Sequence, residues 1–170
     1  MEFYDVINKR HSIRAFLEKE VEPEKLQRIL HALNSAPSAG NIQAYRLYVV
    51  KSPEIKKEIQ SAALDQEFIS EAPLVFVFCA NRDPGLKYGA RGAELYSVQD
   101  ATIAAAYSQL AITQEGLGSV WVGAFDTFDV SRLINAASYE VPVAIIPVGY
   151  PAEQPSATER RPIDDLVREI

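Results

Sequence analysis

The sequence predicts an α/β or α+β protein built around a central sheet, because segments with strand patterns and segments with helix patterns alternate along the chain. Leu74–Ala80 is a continuous apolar run, which is typical of a strand buried on both faces. Glu94–Glu115 is the longest helix candidate and is apolar nearly all round, which predicts a buried helix. No repeat or linker divides the 170 residues, so we expect a single domain spanning 1–170.

The remaining elements follow from apolar spacing and from residues that begin or end helices. Pro23 suits the first position of a helix that ends before Pro37. Ser52 and Pro53 predict the cap and first turn of the next helix. Helices are therefore predicted at 2–10, 23–36, 52–64 and 129–136, with a last helical turn at 163–169. Strands are predicted at 45–51, 119–125 and 141–148, and loops at 11–20, 35–44 and 81–92, the last of them mobile.

Composition excludes several classes of protein. Apolar residues make up 48% of the chain, which is enough for a folded core, and the net charge of −6 argues against a nucleic-acid-binding surface. A single cysteine, Cys79, and two histidines exclude a disulfide framework and predict no metal site. No apolar run approaches the roughly 18 residues of a membrane span, and residues 1–5 lack the pattern of a signal peptide. We therefore expect a cytoplasmic protein with no nucleic-acid or membrane partner.

A basic pentapeptide, Arg10-His11-Ser12-Ile13-Arg14, lies where the first predicted helix ends. Arginine offers a planar fork of donors that matches phosphate oxygens, and serine adds a hydroxyl donor. This segment can therefore hold a phosphate and one further anionic or carbonyl group. The alternative is a basic helix C-terminus that is favoured by the helix dipole and followed by a solvated loop.

Two further segments have the composition of ligand sites. Residues 37–43 combine small residues, a hydroxyl and two amides, and amide side chains match the mixed donor and acceptor edge of a heterocyclic ring. Residues 116–125 place glycines after a helix and before a strand, the reverse of a dinucleotide-binding fingerprint. Gly123, at the predicted strand end, leaves a backbone amide open to a flat ligand. The alternatives are a surface turn for the first segment and a helix cap with a core strand for the second.

The order of these segments, completed by Arg160-Arg161-Pro162, resembles the FMN-dependent nitroreductase family over essentially the whole chain. The resemblance implies an α+β fold in which helices wrap a central mixed sheet. It also implies an intertwined homodimer with two FMN sites at the subunit interface. The implied activity is that of an oxidoreductase that takes electrons from NADH or NADPH and reduces nitroaromatics, quinones or similar small-molecule acceptors.

The resemblance also implies roles for individual residues. Arg14 would lie near N1 and the C2 carbonyl of the flavin, and Gly123 would direct its N–H at N5. Segment 37–41 would reach the ring of FMN bound mainly by the partner subunit. The implied FMN-binding residues are Arg10, His11, Ser12, Arg14, Pro37, Ser38, Ala39, Asn41, Val122, Gly123 and Arg160. Of these, the implied phosphate ligands are Arg10, Ser12 and Arg160, with His11 beside the ribityl-phosphate.

In such a protein FMN carries the hydride chemistry, and the protein supplies position and electric field. A guanidinium at Arg14 would stabilise the negative charge of the reduced flavin. Reductant and acceptor would use the open face in turn, which gives ping-pong kinetics without a protein nucleophile. The predicted loop 81–92, with Tyr88, is expected to select the acceptor. The alternatives are a flavin-cleaving or reductively dehalogenating enzyme of the same fold, and a flavin-binding protein without turnover.

Overall fold

The computed structural model describes residues 1–170, which form eight helical segments and four strands. The helices are α1 (Phe3–Lys9), α2 (Pro23–Asn34), α3 (Pro53–Ala62), α4 (Phe68–Glu71), α5 (Arg82–Gly85), α6 (Gly89–Arg91), α7 (Ser97–Gln114) and α8 (Thr127–Leu133). The strands are β1 (Tyr45–Val50), β2 (Leu74–Asn81), β3 (Gly118–Ser119) and β4 (Glu140–Gly149). Short 3-10 turns occur at Ala39–Asn41, Leu86–Tyr88 and Ile163–Asp165, and a π turn at Gly92–Tyr96. The helices predicted at 2–10, 23–36, 52–64 and 129–136 are confirmed, with ends shifted by at most three residues.

The four strands form one sheet in the order β1-β2-β4-β3, and every pair of neighbouring strands is antiparallel. Parallel pairing occurs only in the isolated bridge between Ser12 and Ser119. The mixed character predicted for the sheet is therefore limited to that bridge. None of the helices combines the length and the hydrophobicity that crossing a bilayer requires.

Both faces of the sheet are covered, and β2 lies at its centre. Side chains alternate along this strand, so that Phe76 and Phe78 join one core cluster while Val75 and Val77 join the other. Helices α2 and α7 cover the first face, and α3, α4 and α8 cover the second. Burial on both faces confirms the strand that was predicted from the continuous apolar run.

The prediction of a loop at 81–92 is wrong, because short helical turns fold residues 82–96 into a compact segment, here called the lid segment. A Cβ atom on Gly92 would lie 2.1 Å from the carbonyl oxygen of Gly85, and one on Gly85 would lie 2.7 Å from that of Gly92. Only glycines allow two backbones to approach this closely. These glycines serve packing, whereas the sequence pattern alone indicated flexibility.

The predicted strand at 119–125 is largely absent, since pairing beyond β3 is reduced to one bridge between Val122 and Ile145. This bridge continues the register in which Ser119 pairs with Val148. In that register Val120 lies opposite Pro147, and proline has no N–H to donate to the ladder. A single proline in β4 therefore interrupts the strand.

Helix α7 was predicted to be buried, and within one chain only one side of it is. One side packs in the core through residues such as Ala104 and Ile112, but Tyr107 is 41% exposed on the other side. Between α1, α2 and α7 runs a groove of about 580 Å³, here called the apolar groove, whose apolar lining is Met1, Phe3, Val6, Ala32, Tyr107, Leu110 and Ala111. A single chain thus leaves apolar surface uncovered on α1 and α7.

The last residues leave the body of the subunit. Residues 152–170 are all exposed, and from residue 154 onwards the segment, here called the tail, makes no hydrogen bond to the rest of the chain. The predicted helical turn at 163–169 is reduced to the 3-10 turn at Ile163–Asp165.

Candidate functional site

The structure brings two of the predicted segments together. Ser12 bridges to Ser119, and the N–H of Ile13 donates to the carbonyl oxygen of Ser119 at 3.0 Å. Gly118 permits this approach, because a Cβ atom there would lie 2.7 Å from Cγ1 of Ile13. The basic pentapeptide therefore lies beside the segment that leads to Gly123.

The side chains of Arg10, Ser12 and Arg14 in the pentapeptide have no partner within the chain, whereas Ile13 is buried. Neither the guanidinium of Arg10 nor the hydroxyl of Ser12 has a hydrogen-bond or ion-pair partner in the chain, although both residues are half-buried. His11 Nδ1 lies 3.0 Å from the carbonyl oxygen of Lys9. Arg14 is exposed, and its guanidinium also has no carboxylate partner. Cationic donors without internal partners form a site suited to an anion.

The backbone around Arg14 is fixed from the opposite end of the chain. The carboxylate of Glu153 accepts hydrogen bonds from the backbone N–H groups of both Arg14 and Ala15, the second at 3.2 Å. Two further backbone hydrogen bonds, Leu17 N–H to Tyr150 and Ala152 N–H to Ala15, hold the same two segments together at 2.9 Å each. This loop is therefore ordered although it has no helix or strand.

Gly123 presents a bare backbone amide. It follows Val122, whose side chain is buried and whose N–H and C=O pair with Ile145 at 2.9 and 3.0 Å. Gly123 itself is exposed, and its N–H donates no hydrogen bond within the chain. A Cβ atom there would meet only Trp121, at 3.5 Å from the indole nitrogen, and the backbone φ is not positive. Nothing inside the chain therefore requires glycine at this position.

The loop 37–43 lies elsewhere on the same subunit. Its residues Pro37, Ser38 and Ala39 line a pocket of about 590 Å³ whose other wall is formed by residues 96–103 of the π turn and α7. No residue of the pentapeptide or of segment 118–123 lines this pocket. Asn41 lies at the exposed tip of the loop. One chain thus does not bring this loop to the other two segments.

Arg160 is also separate, because it lies in the exposed tail. Within one chain the structure thus unites Arg10, His11, Ser12 and Arg14 with the segment of Val122 and Gly123, and it leaves the loop 37–43 and Arg160 apart from them.

Sequence reasoning missed two residues around these segments, Asp100 and Glu153. Asp100 is 2% exposed and accepts hydrogen bonds from the N–H groups of Ala39 and Ala44, at 2.9 and 3.2 Å. A carboxylate inside an otherwise apolar helix was a usable signal for Asp100, whereas the sequence has no comparable signal for Glu153. Tyr88 was expected to select the acceptor, and its hydroxyl occupies the space that a Cβ atom on Gly40 would need, only 1.9 Å away.

The thiol of Cys79 is buried in the core and has a structural role. Burial, followed by the nearby charge of Glu140, raises the pKa of the Cys79 thiol to about 12. That thiol stays protonated at neutral pH and is not a nucleophile. No group of three or more histidine, cysteine, aspartate or glutamate residues is arranged to hold a metal ion.

A family model decides which family this arrangement represents. The model described as "Nitroreductase family" matches residues 7–68 and 60–150, which include the pentapeptide, the loop 37–43 and Gly123. The chain belongs to the Nitroreductase family.

Three curated relatives illustrate the range of this similarity. An NADH dehydrogenase of Thermus thermophilus is 30% identical over 94% of this chain and 91% of its own length. An FMN reductase (NAD(P)H) of Bacillus subtilis is 30% identical over 89% of this chain and 66% of its own. An iodotyrosine deiodinase of Thermotoga neapolitana is 29% identical over 87% of this chain and 88% of its own. The chain is therefore similar to several oxidoreductases whose names refer to different reactions.

Solved structures confirm the α+β nitroreductase fold. NfrA2 of B. megaterium superposes with a TM-score of 0.92 at 26% identity, covering 99% of this chain and 74% of the other. A nitroreductase family protein of Clostridium novyi NT superposes with a TM-score of 0.83 at 30% identity, covering 90% of this chain and 87% of the other.

Proposed function

We propose that this member of the Nitroreductase family is a homodimeric, FMN-dependent NAD(P)H oxidoreductase that reduces nitroaromatics, quinones or similar acceptors. The observation that carries the proposal is a set of groups that have no partner inside the chain. Arg10 and Ser12 have free side-chain donors, and Gly123 has a free amide with no side chain in front of it. The two parts are joined by the bridge between Ser12 and Ser119.

This donor set fits the chemistry of FMN. A terminal phosphate matches the guanidinium and hydroxyl donors of Arg10 and Ser12, and His11 adds a ring nitrogen beside them. A flat ring can approach Gly123, since neither a side chain nor the backbone conformation blocks that surface. The N–H of Gly123 and the guanidinium of Arg14 would then face polar atoms of the ring. Val122, whose N–H and C=O both pair with Ile145, would hold Gly123 in place.

Bound FMN supplies hydride acceptance and donation, and the chain supplies orientation and charge. The Arg14 guanidinium would stabilise negative charge on the ring edge that it faces, because it has no carboxylate to neutralise it. The backbone bonds from Arg14 and Ala15 to Glu153 would limit the movement of that guanidinium. The lid segment, with Tyr88 against Gly40, is the part of this chain that would meet the acceptor.

A homodimer is proposed because one chain leaves the site incomplete. The loop 37–43 and Arg160 are separated from the pentapeptide within a subunit, so they would serve the site of the partner subunit. The apolar groove and the exposed rings of Phe3 and Tyr4, 64% and 76% exposed, provide surface that a second copy would cover.

Anaerobic titration of the purified protein with NADH and NADPH tests the proposal. We expect a yellow protein whose extracted cofactor is FMN and whose visible absorption bleaches on addition of one or both nucleotides. Steady-state rates with a quinone should then follow ping-pong kinetics. Extraction of FAD alone, or failure to bind FMN on reconstitution, would contradict the cofactor assignment. Bound FMN that neither nucleotide bleaches would favour a flavin-binding protein without turnover.

A second candidate is reductive dehalogenation, which the similarity to the iodotyrosine deiodinase of Thermotoga neapolitana favours. Release of halide from iodotyrosine by the reduced protein, measured without oxygen, distinguishes it from the first candidate. Halide release that outpaces quinone and nitroaromatic reduction would replace the proposed acceptors.

A further inference from the structure

Asp100 is a buried carboxylate without a cation. It lies in α7, is 2% exposed, and takes part in none of the ion pairs of the chain. Its two oxygens accept separate hydrogen bonds, one from Ala39 N–H at 2.9 Å and one from Ala44 N–H at 3.2 Å. These two amides bracket the segment 39–44, so a single side chain holds both of its ends.

The bracketed segment adopts a backbone that needs outside support. Gly40, Asn41 and Gln43 have φ values of 52°, 56° and 48°, in the left-handed region that disfavours residues other than glycine. Inside the loop, the Ser38 hydroxyl accepts from the N–H of Gln43 at 2.9 Å. Such a conformation persists only where surrounding contacts fix it. Asp100 supplies two such contacts from outside the loop, and the N–H of Asn81 adds another by donating to the carbonyl oxygen of Ala44 at 3.0 Å.

A carboxylate suits this task better than a neutral side chain of the same size. It offers only acceptors, so it can bind both amides at once. An asparagine would turn its NH₂ group towards one of the two N–H donors. Both oxygens of Asp100 are used by amides of this loop, which indicates that the side chain and the shape of the loop are matched. The loop, in turn, forms one wall of the pocket of about 590 Å³.

We infer that Asp100 is a positioning residue that, through the segment 39–44, holds the loop 37–43 in the shape in which it meets the flavin ring of the partner subunit. The inference rests on the proposed function, in which the loop of one subunit completes the site of the other. Asp100 acts through the loop and does not itself touch the cofactor. It therefore sets how fast bound flavin is reduced more than whether flavin binds, since the phosphate donors lie on another segment.

Two substitutions test this role by rapid-mixing reduction of FMN-saturated protein. Asp100→Asn keeps one acceptor and should slow reduction about tenfold, and Asp100→Leu keeps none and should slow it about a hundredfold, the size expected for a displacement of about 1 Å. Ile112→Ala is the matched control, because it destabilises the core side of the same helix without touching the loop. That variant should melt earlier but be reduced at the wild-type rate. Wild-type reduction rates in the Asp100→Asn variant would overturn the inference.

Mixed dimers provide a second test that does not depend on the Leu variant folding. Subunits with Arg10→Ala and subunits with Asp100→Asn are given different tags, coexpressed and purified as heterodimers. One site then combines an intact Arg10 with an intact loop, and the other combines both defects. We expect one tightly bound FMN per dimer, reduced at the wild-type rate, whereas each parent homodimer is impaired.

The outcomes distinguish the role of Asp100 from the proposed function. Heterodimers in which no site recovers would mean that Asp100 does not act across the interface, and would overturn the inference. A wild-type protein that binds no FMN would contradict the proposed function itself, and this inference with it. Normal FMN reduction in the wild type together with unimpaired Asp100→Asn homodimers would contradict only the role of Asp100.

Discussion

Gly118 and Gly123 lie five positions apart, yet the structure requires glycine at only one of them. A Cβ atom on Gly118 would overlap Ile13, whereas one on Gly123 would make ordinary contact with Trp121. We therefore predict that Gly123→Ala leaves the melting temperature of the FMN-free protein unchanged, or raises it slightly. The same change should slow flavin reduction about a hundredfold, since it shifts the ring from the amide. Differential scanning calorimetry and stopped-flow reduction measure the two effects.

Gly118→Ala is the matched control for this prediction. It should lower the melting temperature because the added methyl group displaces Ile13 and the pentapeptide with it. If Gly123→Ala instead melts early and its bound FMN is reduced at the normal rate, Gly123 serves the fold alone.

Arg10 is predicted to supply much of the affinity for the cofactor phosphate. Arg10→Ala should weaken FMN binding by about 1.5–3 kcal/mol, the usual contribution of a charged hydrogen bond, because no other side chain in the chain pairs with its guanidinium. Fluorescence titration of the FMN-free protein measures the change. Arg132→Ala, an exposed arginine on α8 paired with Asp129, is the control and should bind FMN normally. Equal affinities in both variants would remove Arg10 from the site.

At the scale of elements, Glu140 joins the first residue of β4 to the edge strand β1 across β2. Its carboxylate accepts from Arg46 Nε at 3.0 Å and from Ala137 N–H at 3.3 Å, and it also accepts a hydrogen bond from the Tyr48 hydroxyl. Burial acts to raise the pKa of Glu140, but the hydrogen bonds from Tyr48, Arg46 and Ala137 outweigh it, so the pKa is lowered. In return, burial and the bond to Glu140 raise the pKa of Tyr48 to about 12.

These shifts predict how stability depends on pH. A carboxylate whose pKa is lower in the folded state stabilises the fold fully above its unfolded pKa, near 4.3, and this contribution is lost as pH falls through the folded pKa. Glu140→Gln should therefore cost about 1–3 kcal/mol at pH 7, with a smaller difference from wild type below about pH 4. Urea unfolding of wild type and variant at pH 7 and below about pH 4 measures this difference in stability. Glu58→Gln, an exposed carboxylate on α3, should show neither effect; a pH-independent deficit for Glu140→Gln would contradict the linkage.

Elements with a strong local signal could be predicted from the sequence, and elements set by a distant partner could not. The run Leu74–Ala80 and the Ser52 cap, whose hydroxyl accepts from Ile55 N–H at 3.3 Å, are local. The short β3 depends on Pro147, almost thirty residues away in the chain. The lid segment depends on a contact between two glycines that also suit flexible loops. Candidate site residues could be named from motif order, but Asp100 and Glu153 act through hydrogen bonds that sequence does not reveal.

For the whole molecule, the apolar groove predicts how the subunits associate. Tyr107→Glu places a charge on the uncovered side of α7, where Tyr107 is 41% exposed, so it should leave the subunit folded but weaken the dimer. Sedimentation at micromolar concentration should show a dimer for wild type and a monomer for the variant. Ser61→Glu, at an exposed position on α3 outside both the groove and the pocket that the loop 37–43 lines, is the comparison. An FMN-saturated wild-type monomer would contradict the proposed assembly.

Because the tail leaves its own subunit, retention of the cofactor is expected to depend on the protein concentration. If Arg160 and the loop 37–43 complete a site on the second subunit, then flavin and subunit association are thermodynamically linked, and each strengthens the other by the same factor. We predict that the apparent dissociation constant of FMN rises as the protein is diluted, which gel filtration of serial dilutions with flavin fluorescence would measure. A constant value across the dimer–monomer transition would contradict the linkage. In a cell, few subunits would then hold FMN until enough of them had accumulated to form dimers. The amount of protein synthesised would therefore set the fraction of subunits that is catalytically competent.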